Sequence, residues 1–321
     1  MEFANKVVLI TGAGAGIGYE CALQFADAGA RLVVNSRSER NARAAAEAIR
    51  ERGGEAEFVA GDASDEAVAR AIVGRAAEVY GAVDILVNCA GVVPQGSVLV
   101  TAPEEWDEVM RVNVRSVYLM SRCAIPEMRK RGGGAIINVA SVIATKGFPN
   151  RALYAASKGA IFAMTKSMAA DHIKENIRIN SISPGTVLSE SLQRRIGGAA
   201  DPAQEKRMYE SRQPLGRLGT PAEIAQGILF LAAGKNSFSN LTQGRDFPIA
   251  KAFDRKLALA LPCPFTLLNT LYYVGYGIST GLLVTKRDIR LQIGILICKT
   301  CFSSANRDAY RANGILALQF S

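Results

Sequence analysis

Short apolar runs alternate with longer, partly charged stretches along the chain up to about residue 235. The apolar runs are rich in β-branched residues and nearly free of polar interruptions, which is typical of strands covered by helices on both faces. We predict six strands, at Val7–Ile10, Arg31–Asn35, Ala56–Ala60, Ile85–Asn88, Ala135–Val139 and Arg178–Ser183. We predict helices between them, including Glu39–Arg52, Asp65–Val79, Trp106–Met128 and Ala152–Lys174. This alternation predicts an α/β fold with a doubly wound, parallel sheet.

The first predicted strand leads into a glycine-rich loop, Thr-Gly-Ala-Gly-Ala-Gly-Ile-Gly at residues 11–18, that opens a helix. Glycines let the backbone turn tightly and approach a phosphate, and the N-terminus of a helix offers unpaired N–H donors to the anion. The loop therefore predicts a dinucleotide site, and a purely structural turn is the alternative. The predicted contacts in this loop are Gly12, Ala15, Gly16, Ile17 and Gly18.

Two further loops follow strands, at the edge of the sheet where ligands of such folds bind. Asp62 and Ala63 follow the third strand, where the carboxylate can accept a hydrogen bond from an adenine amino group. A helix N-cap is the alternative role of Asp62, and Ser64 or Asp65 can fill that role equally well. The loop after the fourth strand reads Asn-Cys-Ala-Gly, and its small residues leave room for a ribose beside Asn88, Ala90 and Gly91.

Three polar residues in the second half of this region are candidates for chemistry. Ser141 ends the fifth strand, and Tyr154 and Lys158 follow in a strongly helical stretch. A spacing of four puts Tyr154 and Lys158 on the same helix face, one turn apart. That pair is an unspecific motif when it stands alone.

The motifs gain specificity from their order and spacing. Over about residues 5–238 the chain resembles the short-chain dehydrogenase/reductase family, and the 3-oxoacyl-carrier-protein reductases within it. The resemblance is carried by TGxxxGIG at 11–18, the NCAG loop at 88–91, Asn113, Ser141, Tyr154, Lys158 and Pro184-Gly185. Cys89 is a departure, because the family has a second Asn at that position.

The resemblance implies an oxidoreductase with a Rossmann-like fold that transfers hydride between a nicotinamide and a carbonyl or secondary alcohol. Tyr154 would be the general acid/base, with its pKa lowered by the Lys158 ammonium, and Lys158 would also hold the ribose hydroxyls. Ser141 would hydrogen-bond the substrate oxygen. Asn113 would anchor a water molecule, or would instead cap a local irregularity of the backbone. The predicted nicotinamide contacts are Pro184, Gly185 and Val187.

Cofactor choice depends on the end of the second strand. NAD-preferring relatives usually carry an acidic residue at the position of Ser36, where it repels a 2′-phosphate. Here that residue is small and neutral, and Arg37 follows it with a guanidinium that can bind a phosphate. We therefore predict NADP(H) as the cofactor, with NAD as the alternative. A solvated surface charge is the other interpretation of Arg37, and Ala15 lacks the basic side chain of some NADP-binding relatives.

The substrate is less well defined by the sequence. Residues 186–217 are expected to form a mobile lid, and this lid contains Arg194, Arg195, Arg207 and Arg212. These arginines can attract a carboxylate or can form a solvated helical face. A second basic group, residues 129–131, can dock an acidic carrier protein or complement a helix dipole. The substrate classes that we consider are a 3-oxoacyl group, a sugar acid and a small hydroxy acid.

Composition excludes several other functions. The net charge of +9 arises mostly after residue 237, because residues 238–321 hold 10 basic and 4 acidic residues, so nucleic acid is not an expected partner. Scattered cysteines and the lack of an apolar leader lead us to expect reduced thiols and a cytoplasmic protein. His172 is the only histidine, which disfavours a His-dependent hydrolase or zinc site, and we predict no metal.

The chain after Phe238 does not resemble the family. We predict a catalytic domain over residues 1–238 and an atypical extension over 239–321, with the family's last strand missing or replaced. The extension includes an uncharged run, Leu257–Thr285, and a lone Cys298/Cys301 pair. Our interpretation is a reading-frame shift or an alternative end, so that a membrane span and a metal site are disfavoured. The family's dimer or tetramer is in doubt for this chain, and a non-catalytic, nucleotide-binding or membrane-associated scaffold is the alternative function.

Overall fold

A sheet of six parallel strands forms the centre of a computed structural model that describes residues 1–236 of the chain. The strands are β1 (Val7–Thr11), β2 (Arg31–Ser36), β3 (Glu55–Ala60), β4 (Ile85–Asn88), β5 (Gly134–Val139) and β6 (Ile177–Ile182). Their order across the sheet is β3-β2-β1-β4-β5-β6. The chain thus winds outward in both directions from β1, which confirms the predicted doubly wound, Rossmann-like fold.

Helices cover both faces of the sheet. They are α1 (Gly16–Asp27), α2 (Glu39–Glu51), α3 (Glu66–Tyr80), α4 (Pro103–Met110), α5 (Ser116–Lys130), α6 (Ala152–His172), α7 (Glu190–Gly197), α8 (Pro202–Ser211) and α9 (Pro221–Ala232). Apolar residues of α1, α2 and α9 pack on one face of the sheet. Those of α3, α5 and the last part of α6 pack on the other. Burial of both faces explains why the strands read as continuous apolar runs.

The predicted strands agree with the structure to within one residue at each end. The predicted helix Trp106–Met128 is wrong as a single regular helix. It begins earlier, as α4, and a π-helical turn at Arg111–Arg115 separates α4 from α5. Such turns place one extra residue in the helix and are frequent at functional sites.

Strand β6 is the last strand of the sheet within the described residues, and Arg178 on this strand is buried. Its guanidinium donates to the carbonyl oxygens of Leu231 at 2.7 Å, Ala232 at 2.8 Å and Ala233 at 3.3 Å. The C-terminus of α9 is therefore joined to the edge of the sheet by one side chain, which supplies donors to carbonyls that the helix leaves unpaired.

The predictions about the extension, including the missing strand, the run Leu257–Thr285 and the pair Cys298/Cys301, lie outside the described residues. Within residues 1–236, no helix combines the length and hydropathy that a membrane span requires. The same part of the chain contains no cluster of potential metal ligands. Cys21, Cys89 and Cys123 are free thiols there.

Candidate active site

The glycine loop between β1 and α1 has the close packing that a dinucleotide site requires. Gly12 has a φ of +68°, and a Cβ at this residue would lie 2.8 Å from the backbone of Ala90. Ala15, at the N-cap of α1, makes no side-chain hydrogen bond to the helix. The backbone N–H of Gly18, in the first turn of α1, is engaged by the Cys89 thiol, and binding of a pyrophosphate at this helix N-terminus stays a prediction.

A cleft of about 240 Å³ lies beside this loop at the carboxyl ends of the strands. Seven of the predicted cofactor contacts line it, namely Gly12, Ser36, Arg37, Asp62, Ala63, Ala90 and Gly91. The lining also includes residues that the sequence did not indicate, namely Asn35, Ser38, Asn41, Gly61, Val92 and Val112. Ten other predicted contacts are not part of this lining, namely Ala15, Gly16, Ile17, Gly18, Asn88, Tyr154, Lys158, Pro184, Gly185 and Val187.

Ser36 and Arg37 form the end of the cleft that follows β2. A Cβ at Gly14 would lie 2.6 Å from the Ser36 hydroxyl, so the serine packs directly against the glycine loop. Arg37 is exposed, and no carboxylate of residues 1–236 forms an ion pair with it. The cleft therefore has an available cation and no acidic side chain at the end of β2.

Asp62 lies in the cleft wall and is not the N-cap of α3. Asp65 caps that helix by accepting from the backbone of Ala67 and Val68. The Asp62 carboxylate accepts from the backbone and the hydroxyl of Ser64 and, at 3.0 Å, from Arg111. Burial raises the pKa of Asp62, but these hydrogen bonds and the Arg111 charge outweigh it and hold the pKa below its ordinary value.

Asn88 is directed into the protein and away from the cleft. Its amide donates to Asn138 on β5 at 2.8 Å, and Asn138 in turn donates to Thr165 on α6 at 2.9 Å. This buried network joins the ends of β4 and β5 to α6. A cofactor contact of the Asn88 side chain stays a prediction, and the observed role is to support the loop that carries Ala90 and Gly91.

Ser141, Tyr154 and Lys158 come together at the carboxyl end of β5. The Tyr154 hydroxyl interacts with the Ser141 side chain, and the Lys158 ammonium lies 5.8 Å from the centroid of the Tyr154 ring. Lys158 is buried and donates to the carbonyl of Val139 at 2.7 Å. A Cβ at Gly91 would lie 3.7 Å from the same ammonium, so Lys158 also borders the cleft.

Burial, and not the attraction between the two side chains, has the largest effect on the pKa values of Tyr154 and Lys158. Desolvation raises the pKa of Tyr154, while the Ser141 hydrogen bond and the Arg151 charge lower it by less. Lys158 is not among the groups that lower the pKa of Tyr154, so the predicted lowering is not found. Desolvation also lowers the pKa of Lys158 to about 8. At neutral pH the site thus holds a protonated phenol and an ammonium.

Asn113 lies in the π-helical turn and joins the cleft to α6. Its amide oxygen accepts from the backbone N–H of Val92 at 2.7 Å, and its nitrogen donates to the Val92 carbonyl at 3.0 Å. The same nitrogen donates to Ser157, three residues after Tyr154, at 3.0 Å. This geometry is that of the structural alternative, a polar residue at a backbone irregularity, and the water-anchoring role stays a prediction.

The segment after β6 borders the site from the other side. The backbone of Val142 donates to the Pro184 carbonyl at 3.1 Å, which places Pro184 beside the Ser141 loop. Gln213 accepts from the backbone of Thr186 at 3.2 Å and donates to the Thr186 hydroxyl at 2.8 Å. Helices α7 and α8 of the predicted lid pack on each other through a small apolar cluster, made of Leu192, Ile196, Tyr209 and Leu218 with Leu188 and Met208.

Arg151 and Gln95 are site residues that the sequence did not reveal. Arg151 directly precedes α6, and its charge is close enough to act on the pKa of Tyr154. With its oxygen facing the arginines, Gln95 accepts from Arg151 at 2.9 Å and from Arg195 at 3.1 Å. The position of Arg151, three residues before Tyr154, could have indicated that it belongs to the site. No sequence pattern indicates that Gln95 contacts it.

Two other predicted features have local partners. Arg129 pairs with Glu175 at 2.7 Å and Lys130 with Glu127 at 2.8 Å, so these cations of the basic group at 129–131 are engaged within the chain. His172, the last residue of α6, contacts the same Glu175 at 3.1 Å. Docking of an acidic carrier by the basic group stays a prediction.

The family can now be identified by comparison with known proteins. The model of a family described as enoyl-(acyl carrier protein) reductase matches residues 12–243. An "uncharacterized oxidoreductase" of Thermotoga maritima is 42% identical over 238 residues, which cover 74% of this chain and 94% of that protein. The chain belongs to the short-chain dehydrogenase/reductase family. It is accordingly an oxidoreductase that acts on CH–OH donors with a nicotinamide cofactor.

Two further relatives of this short-chain dehydrogenase/reductase have more specific names. The 2-keto-3-deoxy-L-fuconate dehydrogenase of Xanthomonas campestris is 38% identical, over 73% of this chain and 76% of that protein. The crystal structure of L-sorbose reductase from Gluconobacter frateurii, complexed with NADPH and L-sorbose, superposes with a TM-score of 0.72 at 30% identity. It covers 75% of this chain and 94% of the reductase.

Proposed function

We propose that this short-chain dehydrogenase/reductase interconverts a carbonyl and a secondary alcohol with NADP(H), using Tyr154 as the general acid/base. The observation that carries the proposal is the contact of the Tyr154 hydroxyl with Ser141, beside a buried Lys158 that borders the cleft. When bound in the cleft, the cofactor supplies or accepts the hydride. Nicotinamide absorbance, followed with a panel of ketones, oxo acids and alcohols, tests this activity, and no turnover of any of them would contradict it.

Proton transfer is the part of the reaction that the chain's own residues perform. Reduction of a carbonyl creates an alkoxide, which takes a proton from the Tyr154 hydroxyl. The Ser141 hydroxyl, which already contacts Tyr154, donates to the same substrate oxygen and stabilises its developing charge. Because burial raises the pKa of Tyr154, the phenol is protonated at neutral pH, which is the state that reduction requires.

Lys158 contributes a buried positive charge. Its ammonium is fixed by the Val139 carbonyl and has further donors for ribose hydroxyls at the border of the cleft. When Tyr154 gives up its proton, the phenolate that forms is stabilised by the Ser141 hydrogen bond and the Arg151 charge, which both lower the pKa of Tyr154. Loss of the ammonium proton of Lys158 removes the positive charge and a donor for the ribose hydroxyls.

The rate of carbonyl reduction is therefore expected to fall as the pH rises above about 8, the value to which burial lowers the pKa of Lys158. With one essential proton, kcat/KM for reduction should drop about tenfold per pH unit beyond that point. A pH profile of kcat/KM measures this. Lys166→Met, an exposed change on the same helix, should leave the profile unchanged, and a profile that is flat through pH 9 would refute the assignment.

The pH dependence of the free energy of unfolding tests the lowered pKa of Lys158 independently, because stability should rise with pH where the rate falls. A lysine whose pKa is lowered on folding binds its proton less well in the folded protein, so it destabilises the protein at low pH. This penalty disappears as the pH rises from about 8 towards the ordinary value of 10.5. The stability advantage of Lys158→Met over the wild type, measured by chemical unfolding, should shrink over that interval.

The choice of NADP(H) is supported by the end of β2. The cleft there presents Ser36, the amide of Asn41 and the exposed Arg37, which forms no ion pair with any carboxylate of residues 1–236. No carboxylate lies at the end of β2 to pair with the two ribose hydroxyls of NAD or to repel a 2′-phosphate. A guanidinium binds a phosphate through charge-assisted hydrogen bonds.

Arg37→Ala is expected to lower kcat/KM for NADPH about tenfold, because an exposed charge-assisted contact is worth about 1.5 kcal/mol. The value for NADH should change by less than twofold. Steady-state kinetics with both cofactors measures the two effects. Arg40→Ala is the matched control, because Arg40 is exposed but does not line the cleft. Equal losses with both cofactors would count against the proposed phosphate contact.

A further inference from the structure

Three arginines from separate parts of the chain lie close together, and one of them, Arg151, is near Tyr154. Arg151 directly precedes α6, Arg195 lies on α7, and Arg212 directly follows α8. With the Gln95 amide turned so that its oxygen faces the arginines, it accepts from Arg151 at 2.9 Å and from Arg195 at 3.1 Å, so these two guanidinium groups lie close together. The Arg212 guanidinium lies 5.4 Å from the ring centroid of Tyr209, whose hydroxyl is close enough to Arg151 to act on its pKa.

These arginines have no acidic counterpart in the described part of the chain. Arg151, Arg195 and Arg212 form no ion pair with any carboxylate of residues 1–236, whereas the nearby Arg217 pairs with Glu223 at 2.6 Å. Arg151 and Arg195 are also half-buried, so water screens them less than surface charges.

The electrostatics agree with this geometry. Desolvation lowers the pKa of Arg151, and the charges of Arg195 and Arg212 lower it further, while Tyr209 and Tyr154 act in the opposite direction. Placing two half-buried arginines and a third, exposed one close together is unfavourable unless an anion joins them. An anion bound by Arg151 would also lie near Tyr154, because the charges of these two side chains act on each other.

We infer that Arg151, Arg195 and Arg212 bind a carboxylate of the substrate, so that the enzyme acts on small hydroxy acids and the corresponding oxo acids. This inference rests on the proposed oxidoreductase function and specifies its substrate class. Guanidinium groups match a carboxylate through paired N–H donors, and Gln95 keeps two of them oriented.

The spacing along α6 limits the size of the substrate. Arg151 precedes Tyr154 by three residues, and the two side chains are close enough for each to act on the pKa of the other. A carboxylate bound by Arg151 therefore lies close to the carbon that reacts. A 3-oxoacyl thioester carries no carboxylate beside its carbonyl, so the arginines favour a sugar acid or a small hydroxy acid among the substrate classes predicted from the sequence.

The test compares linear oxo acids, with the carbonyl at position 2, 3 or 4, with their methyl esters. The full-length wild type should reduce at least one acid with a kcat/KM ten- to a hundredfold above that of its ester. Arg195→Ala and Arg212→Ala should each lower kcat/KM for the acid about tenfold or more and change that for the ester by less than twofold. Arg195→Lys should restore part of the loss.

Matched controls lie on the same helices. Arg194 on α7 and Arg207 on α8 are exposed and form no ion pair within residues 1–236, so Arg194→Ala and Arg207→Ala should leave both substrates unaffected. Esters reduced as well as acids, or equal losses with acid and ester in Arg195→Ala, would overturn the inference while leaving the oxidoreductase function intact. Failure of the proposed function itself would appear differently, as no turnover of acids or esters.

Discussion

Replacement of Tyr154 by Phe is expected to lower kcat for carbonyl reduction about a thousandfold, the range that general acid/base catalysis contributes. The substitution removes the hydroxyl that contacts Ser141 and keeps the ring that lies beside Lys158. Proton delivery to the alkoxide is lost, whereas the cleft of the cofactor is unchanged. Steady-state rates and NADPH titration by fluorescence measure the two properties separately.

The matched control for this change is Tyr118→Phe. Tyr118 lies on α5 and is 48% exposed, so removal of its hydroxyl should affect neither rate nor cofactor binding. Equal rates in wild type and Tyr154→Phe would eliminate Tyr154 as the proton donor. A loss of NADPH binding in step with the loss of rate would point to a damaged site and would also contradict this role.

Replacement of Arg178 by Met should destabilise the protein by about 3–5 kcal/mol, because each buried carbonyl left without a donor costs about 1–3 kcal/mol. The carbonyls at risk are those of Leu231, Ala232 and Ala233, which all accept from this one guanidinium. Met retains most of the apolar stem of the side chain, so the loss arises from the hydrogen bonds. Urea unfolding, followed by circular dichroism, measures the change.

Arg40→Met is the control for a general effect of a lost positive charge, since Arg40 is exposed on α2 and has no partner among residues 1–236. It should change the free energy of unfolding by less than about 0.5 kcal/mol. If Arg178→Met is no more destabilising than this control, the contact between β6 and the end of α9 contributes nothing to stability.

The fold could be predicted closely because its strands are buried on both faces. Val7–Thr11 is an uninterrupted run of apolar or β-branched residues, and Ile85–Asn88 is apolar up to its last residue, so both are recognised as buried strands. The π-helical turn at Arg111–Arg115 could not be predicted, because one additional residue in a helix changes the apolar period too little to be read from a short segment. The turn is recognised only through the contacts of Asn113 with Val92.

The candidate site could be predicted where its residues share one motif and could not where the chain brings distant residues together. Tyr154 and Lys158 are one helical turn apart, so their proximity follows from their spacing. The contact of Gln95 with Arg151 and Arg195 joins three separate segments, and no local pattern encodes it. The raised pKa of Tyr154 was also missed, because burial is a property of the packed protein and not of the motif.

Asn113 connects the wall of the cofactor cleft to the helix that carries Tyr154, and we expect this region to tolerate fewer sequence changes than helices α7 and α8. Its side chain joins Val92, in the wall of the cleft, to Ser157 on the helix that carries Tyr154. A displacement of either one disturbs the other, so we expect insertions and deletions near this junction to abolish turnover. Helices α7 and α8 lack such a connection to Asn113, and new substrate preferences should therefore arise there by changes of length and sequence during evolution.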